Sequence, residues 1–89
     1  MKKINEMKLT FESKSVNEGF SRVAVSSFAS SLDPTVEELS DIKTAVSEAV
    51  TNAIVHGYRE KMGKIYITAV ITDKNIIRIK VRDNGVGIE

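Results

Sequence analysis

From residue 64 to residue 82 the chain alternates apolar and polar side chains with a period of two, twice over. Ile65, Ile67, Ala69 and Ile71 fall on one side of the first run, residues 64–72. Ile77, Ile79 and Val81 fall on one side of the second, residues 76–82, with Arg78, Lys80 and Arg82 on the other. Successive side chains of an extended backbone point to opposite faces, so each run reads as a strand with one apolar face. Asp73-Lys74-Asn75 between them is a turn signal. The pair therefore predicts an antiparallel hairpin, solvated on one face. Its apolar face needs helices to cover it.

Two helices are predicted upstream. In the first, Ser15-Val16-Asn17-Glu18 reads as a capping box, and Val16, Phe20, Val23, Ala24, Ser27 and Phe28 recur at helical spacing as one apolar stripe. Leu32 is expected to close that helix on the core. Asp33-Pro34-Thr35 then breaks the pattern. Pro34 suits a first helical turn, Asp33 or Thr35 can cap it, and Thr35 with Glu38 forms a second capping box. Val36, Leu39, Ile42, Val46, Ala49, Val50, Ala53 and Ile54 give a long second stripe, with Gly57 as its stop. A short strand at 7–12, with Leu9 and Phe11 inward, and a polar connector at 58–63 complete the pass. The expected fold is α+β, a two-layer sandwich of helices on an antiparallel sheet.

Composition narrows the classes of function. At 89 residues the chain holds one small domain, which buries roughly 60% of its unfolded surface. Its net charge of +1 predicts no strong field for nucleic acid or an anionic membrane. It has no cysteine, which excludes disulfides and thiolate metal sites. No signal-peptide h-region follows Met1-Lys2-Lys3, and no apolar run approaches the roughly 20 residues that span a bilayer. The expectation is a cytoplasmic domain without direct nucleic-acid or membrane partners.

The long helix carries three ligand-capable groups, Glu48, Asn52 and His56, spaced four apart and so predicted on one face at its end. On their own, Glu48 and Asn52 fit an ordinary solvated face, and His56 fits a cation at the negative end of the helix dipole. Asp83-Asn84-Gly85-Val86-Gly87 follows the last strand directly. Its glycines let backbone approach a flat ligand closely, and Asp83 can accept from an exocyclic amine. On its own it fits a plain Asn-Gly turn. The order carries more than either part: helix with Glu-x-x-x-Asn, hairpin, then Asp-x-Gly-x-Gly.

In that order the chain resembles the gyrase, histidine kinase and heat-shock chaperone (Bergerat) ATP-binding fold, over almost its whole length. Residues 48–52 match its N box and residues 83–87 its first glycine box. The stretch from Thr44 to Tyr58, together with Asn5-Glu6-Met7, Phe20-Ser21-Arg22-Val23 and Leu32-Asp33-Pro34-Thr35, is similar to the anti-sigma factor serine kinases. The sporulation branch is the nearer, and the stress-response branch the nearest rival.

The resemblance implies an enzyme that moves the γ-phosphoryl of ATP to a serine of an anti-anti-sigma protein and also silences a sigma factor, as a homodimer using the region around residues 7–13. It implies Glu48 as general base, Asn52 as a ligand of Mg²⁺, and Asp83 on the adenine amino group. Gly85 and Gly87 would lie around base and ribose, and Thr51 and His56 beside the ATP/ADP pocket. Arg22 would contact the sigma factor or the anti-anti-sigma protein. The family continues with a mobile ATP lid and a second glycine box, so residues 1–89 are expected to be a C-terminally truncated part of that domain. Two other readings stay open: a non-catalytic dimerisation or sigma-binding fragment, and a stand-alone histidine-kinase-like fragment.

Overall fold

The hairpin and both helices are present in the computed structural model, which describes residues 2–57 and 62–83. Strand β1 spans Lys3–Glu12 and helix α1 Val16–Ala29; a single 3₁₀ turn follows at Ser30–Leu32. Helix α2 covers Val36–Asn52 and continues as a π-helical turn, Ala53–Gly57. Strands β2 (Lys64–Thr72) and β3 (Ile77–Asp83) close the order. The sheet runs β1-β2-β3, antiparallel throughout. Phe11 stands opposite Ile65, Leu9 opposite Ile67, and Ala69 opposite Ile79. The first strand is thus longer than the expected 7–12 and lies at the edge beside β2.

The alternation decides which face is covered. Ile65, Ile67, Ala69 and Ile71 of β2 are buried, while Arg78, Lys80 and Arg82 of β3 are exposed. Phe11, Val25, Val46, Val50, Ala53, Ile65 and Ile67 form the core cluster. Burying each large aliphatic side chain stabilises the fold by about 1.5–3 kcal/mol. The helices supply the opposite wall, so the α+β two-layer sandwich stands as expected from the sequence.

The turn at 73–75 is held by Thr72. Its N–H donates to the Ile76 carbonyl at 2.9 Å, and its own carbonyl accepts from Asn75 N–H at 3.1 Å. Asn75 takes φ 61°, in the left-handed region that Asn tolerates. The other end of the sheet is tied by Ser13, whose N–H donates to Gly63 O at 2.9 Å and whose Oγ accepts from Gly63 N–H at 3.0 Å. On the exposed strand edge, a hydrogen bond from Lys3 holds the Glu6 carboxyl below the ordinary carboxylate range. Any stabilisation from that pair is present above the unfolded pKa of Glu6 and is lost as pH falls through the lowered one.

The helix starts differ from expectation in instructive ways. Thr35 caps α2 with the expected box: Thr35 Oγ1 accepts from Glu38 N–H at 3.0 Å, and Glu38 Oε1 accepts from Thr35 N–H at 2.8 Å. Pro34 lies one residue before that cap, not in the first turn. Ser15, by contrast, makes no side-chain cap; its backbone is already helical, so its Oγ is carried away from the free donors. Instead Asn17 Nδ2 donates back to the Glu12 carbonyl at 2.9 Å. Replacing Thr35 by Ala is therefore expected to cost about 1 kcal/mol, and Ser15→Ala less than about 0.5 kcal/mol. Urea midpoints of the two variants measure the difference; equal shifts would contradict the capping assignment.

Helix α1 also turns a different face inward. Ser21, Val25, Ser26 and Ala29 are buried, whereas Val16, Phe20 and Val23 of the expected stripe are 77%, 53% and 63% exposed. The reason is local. Ser21 Oγ donates to the Glu18 carbonyl and Ser26 Oγ to the Arg22 carbonyl, both at 2.7 Å. A serine satisfied by its own helix backbone fills space as a small residue. Val36 of the second stripe is also exposed, at 88%, because it precedes the part of α2 that reaches the sheet.

Candidate nucleotide site

The last two turns of α2 build the site. Val46, Val50 and Ala53 are buried on the sheet side, which fixes the rotation of the helix. Residues four apart share a face, so Glu48 and Asn52 emerge together on the solvent side, and both are exposed. With Ser47 and Thr51 they line an open recess of about 340 Å³. Its groups are a carboxylate, an amide and two hydroxyls, all short and all able to meet a polar ligand.

His56 does not line this recess. The helix changes from α to π after Asn52, and a π turn closes i→i+5 hydrogen bonds in place of i→i+4. The regular α-helical ladder therefore ends at Asn52, four residues before His56. His56 is exposed in the final turn.

Asp83 is the last residue of β3 and pairs across the ladder with Ile65. Ile65 is buried in the same cluster as Ala53, the residue after Asn52, and the π turn packs against β3. The fold thus brings residues 48–52, at the end of α2, and Asp83, at the end of β3, to one end of the sandwich. Gly85 and Gly87 lie outside the described residues. So do residues 58–61 of the expected connector.

Arg22 lies elsewhere, on α1, with Nη1 3.8 Å from Glu18 Oε2. It borders a second groove, of about 390 Å³, between α1 and α2. Ser47 and Glu48 belong to both cavities. Lys43 and Ser47 are among the residues of these walls that were missed in the sequence. The signal for them was present: Lys43, Ser47 and Thr51 recur at steps of four on the polar side of α2.

The residues and their order have a counterpart. A profile of the histidine kinase-like ATPase domain matches residues 11–89. The chain belongs to the histidine kinase-like ATPase family. Within it, the chain is 60% identical over 85 residues to the anti-sigma F factor of Clostridium acetobutylicum, covering 96% of this chain and 59% of that protein. It is 59% identical to the anti-sigma F factor of Clostridium perfringens strain 13, covering 96% of this chain and 61% of that protein. It is 58% identical to that of Thermoanaerobacter pseudethanolicus, covering the whole chain and 62% of the relative. The chain therefore spans about three fifths of the curated relatives it matches.

Membership gives the recess a physical reading. Family membership implies nucleotide binding, and Asn52 and Thr51 present neutral oxygen donors beside the Glu48 carboxylate. That set suits Mg²⁺, a hard cation that takes few protein oxygens and keeps phosphate and water ligands. Among the described residues no group of three His, Cys, Asp or Glu forms an all-protein metal cage. No helix among them is long and apolar enough to cross a membrane.

Proposed function

We propose that this chain is the nucleotide-binding part of an anti-sigma factor that phosphorylates a protein serine with ATP and also binds a sigma factor. The observation that carries the reading is the open recess in which α2 presents Glu48, Thr51 and Asn52 together, in a chain about 60% identical to anti-sigma F factors. In this reading the substrate serine oxygen bonds to the γ-phosphorus of ATP, and the bond from that phosphorus to the departing ADP oxygen breaks. Glu48 accepts the serine proton. Asn52, with Thr51 beside it, would hold Mg²⁺, which when bound neutralises charge on the phosphates. Asp83 accepts a hydrogen bond from the adenine amino group and so favours adenine over guanine, with Gly85 and Gly87 around base and ribose. The substrate is an anti-anti-sigma protein, and the assembly is a homodimer. The relatives' names support the sigma-factor partner; the residue roles rest on the chemistry of the side chains.

Calorimetry of ATP and ADP binding with Mg²⁺ tests the nucleotide part. Asp83→Asn is expected to weaken binding about tenfold or more, because a hydrogen bond to a charged group is worth about 1.5–3 kcal/mol. Equal affinity in the variant would remove Asp83 from the adenine site. Absent binding by the unchanged chain would favour a role in partner binding alone.

A further inference from the structure

The outer face of the sheet, turned away from both helices, is basic. The chain's net charge of +1 conceals this, because α2 carries Glu37, Glu38, Asp41 and Glu48 against Lys43. In the ladder, Lys8, Thr68 and Lys80 stand side by side across the three strands, and Glu6, Val70 and Arg78 form the next such row. Lys3 joins them through an irregularity. The pairing of β1 with β2 shifts between Lys3 and Asn5, so that Lys3 stands opposite Thr72 while Asn5 stands opposite the buried Ile71. Strict alternation would have turned Lys3 toward the helices with Asn5; a bulge of this kind re-aims a side chain. A recess of about 530 Å³ opens on this face, lined by Lys3, Arg78 and Lys80 with Thr68 and Val70 between them.

The recess is short of negative charge. Arg78 and Lys80 are exposed and make no ion pair among the described residues. The half-buried Thr68 hydroxyl has no hydrogen-bond partner among them. The carboxylate of these rows, Glu6, is held by Lys3 at 2.9 Å. Lys8 also acts on that carboxylate, so Glu6 keeps a cation when Lys3 turns to a ligand. We propose that this recess binds a small, soluble, multiply charged phosphate anion, with Arg78 and Lys80 pairing with its oxygens from β3, Lys3 from β1, and the Thr68 hydroxyl donating from the strand between. A guanidinium fork matches two phosphate oxygens at once, and cations placed on separate strands meet more oxygens of a linked phosphate chain than of a single phosphate. The volume lies in the usual range for small-ligand sites, about 300–1,000 Å³. A single-stranded nucleic acid fits less well. Base stacking needs an open ring, and Tyr66, the aromatic residue of this face, lies under the Arg82 guanidinium at 4.6 Å. The proposal does not depend on the kinase reading, because Glu48 and Asn52 belong to the helix layer on the other side of the sheet.

The test titrates the ¹⁵N-labelled chain with phosphate, pyrophosphate and tripolyphosphate, without Mg²⁺, followed by NMR. The amides of Thr68, Val70, Ile79 and Lys80 are expected to shift. Tripolyphosphate should bind about tenfold more tightly than phosphate, since each further charge-assisted contact adds affinity. Arg78→Gln combined with Lys80→Gln should weaken tripolyphosphate binding about tenfold or more. Lys43→Gln, which removes a cation of α2 instead, should leave it unchanged. All three side chains are exposed, and each variant's spectrum reports directly that it is folded. Affinity that ignores the double variant, equal weakening in Lys43→Gln, or shifts confined to Ser47, Thr51 and Asn52 would each overturn the proposal. So would a preference for phosphatidic acid vesicles or for an oligonucleotide over tripolyphosphate.

Discussion

Replacing Glu48 by alanine in the intact gene product is expected to slow phosphoryl transfer to a serine substrate by about 10²–10⁴-fold, the usual contribution of a positioned general base. Nucleotide affinity should change little. Glu48 lies on the solvent side of α2, away from Val46 and Val50, which hold the helix on the sheet, so its loss leaves the fold intact. The recess would lose its one carboxylate and keep Ser47, Thr51 and Asn52. Single-turnover transfer of labelled phosphate, with calorimetry of ATP binding on the same protein, measures both quantities. Retained transfer at the parent rate would take the base role away from Glu48. Loss of nucleotide binding together with transfer would instead make it a binding residue.

Truncating Ile67 to alanine is expected to cost about 2–5 kcal/mol, the range for deleting a buried aliphatic side chain and leaving part of the space unfilled. Ile67 is 1% exposed on the central strand, opposite both Leu9 and Val81, and belongs to the core cluster. A small domain typically has only about 5–15 kcal/mol of stability in total, so this variant should be unfolded in a large fraction or melt far lower. Val36→Ala removes an aliphatic group that is 88% exposed and should change stability by less than about 0.5 kcal/mol. Urea denaturation of the two variants compares a buried and an exposed residue from the same apolar patterns. Similar losses at both sites would mean that Val36 is covered in solution.

Much of the fold was legible because β-strands declare their faces. A two-residue period leaves no choice once one face is buried, so Ile65, Ile67, Ala69 and Ile71 could point only one way. The Thr35 box was legible for a similar reason: both of its hydrogen bonds are local to four residues. Helix α1 was less legible. It carries apolar residues on more than one side, and the side that packs is lined by serines whose hydroxyls bond to their own backbone. Composition marks those serines as polar; the fold uses them as small.

The site divides along the same line. Sequence alone determined that Glu48 and Asn52 share a face, because four residues make close to one helical turn, and that an acidic residue directly follows the last alternating run, 76–82. Tertiary structure decided the rest. The helix changes from α to π after Asn52, which no pattern of side chains announced, and His56 does not line the recess that Asn52 lines. Burial of Ala53 and Ile65 in one core cluster brings Asp83, 31 positions beyond Asn52, to the same end of the sandwich. The groove holding Lys43 exists only because α1 lies beside α2. Local spacing fixes which side chains leave an element together; which elements then meet depends on the burial of side chains far apart in the chain.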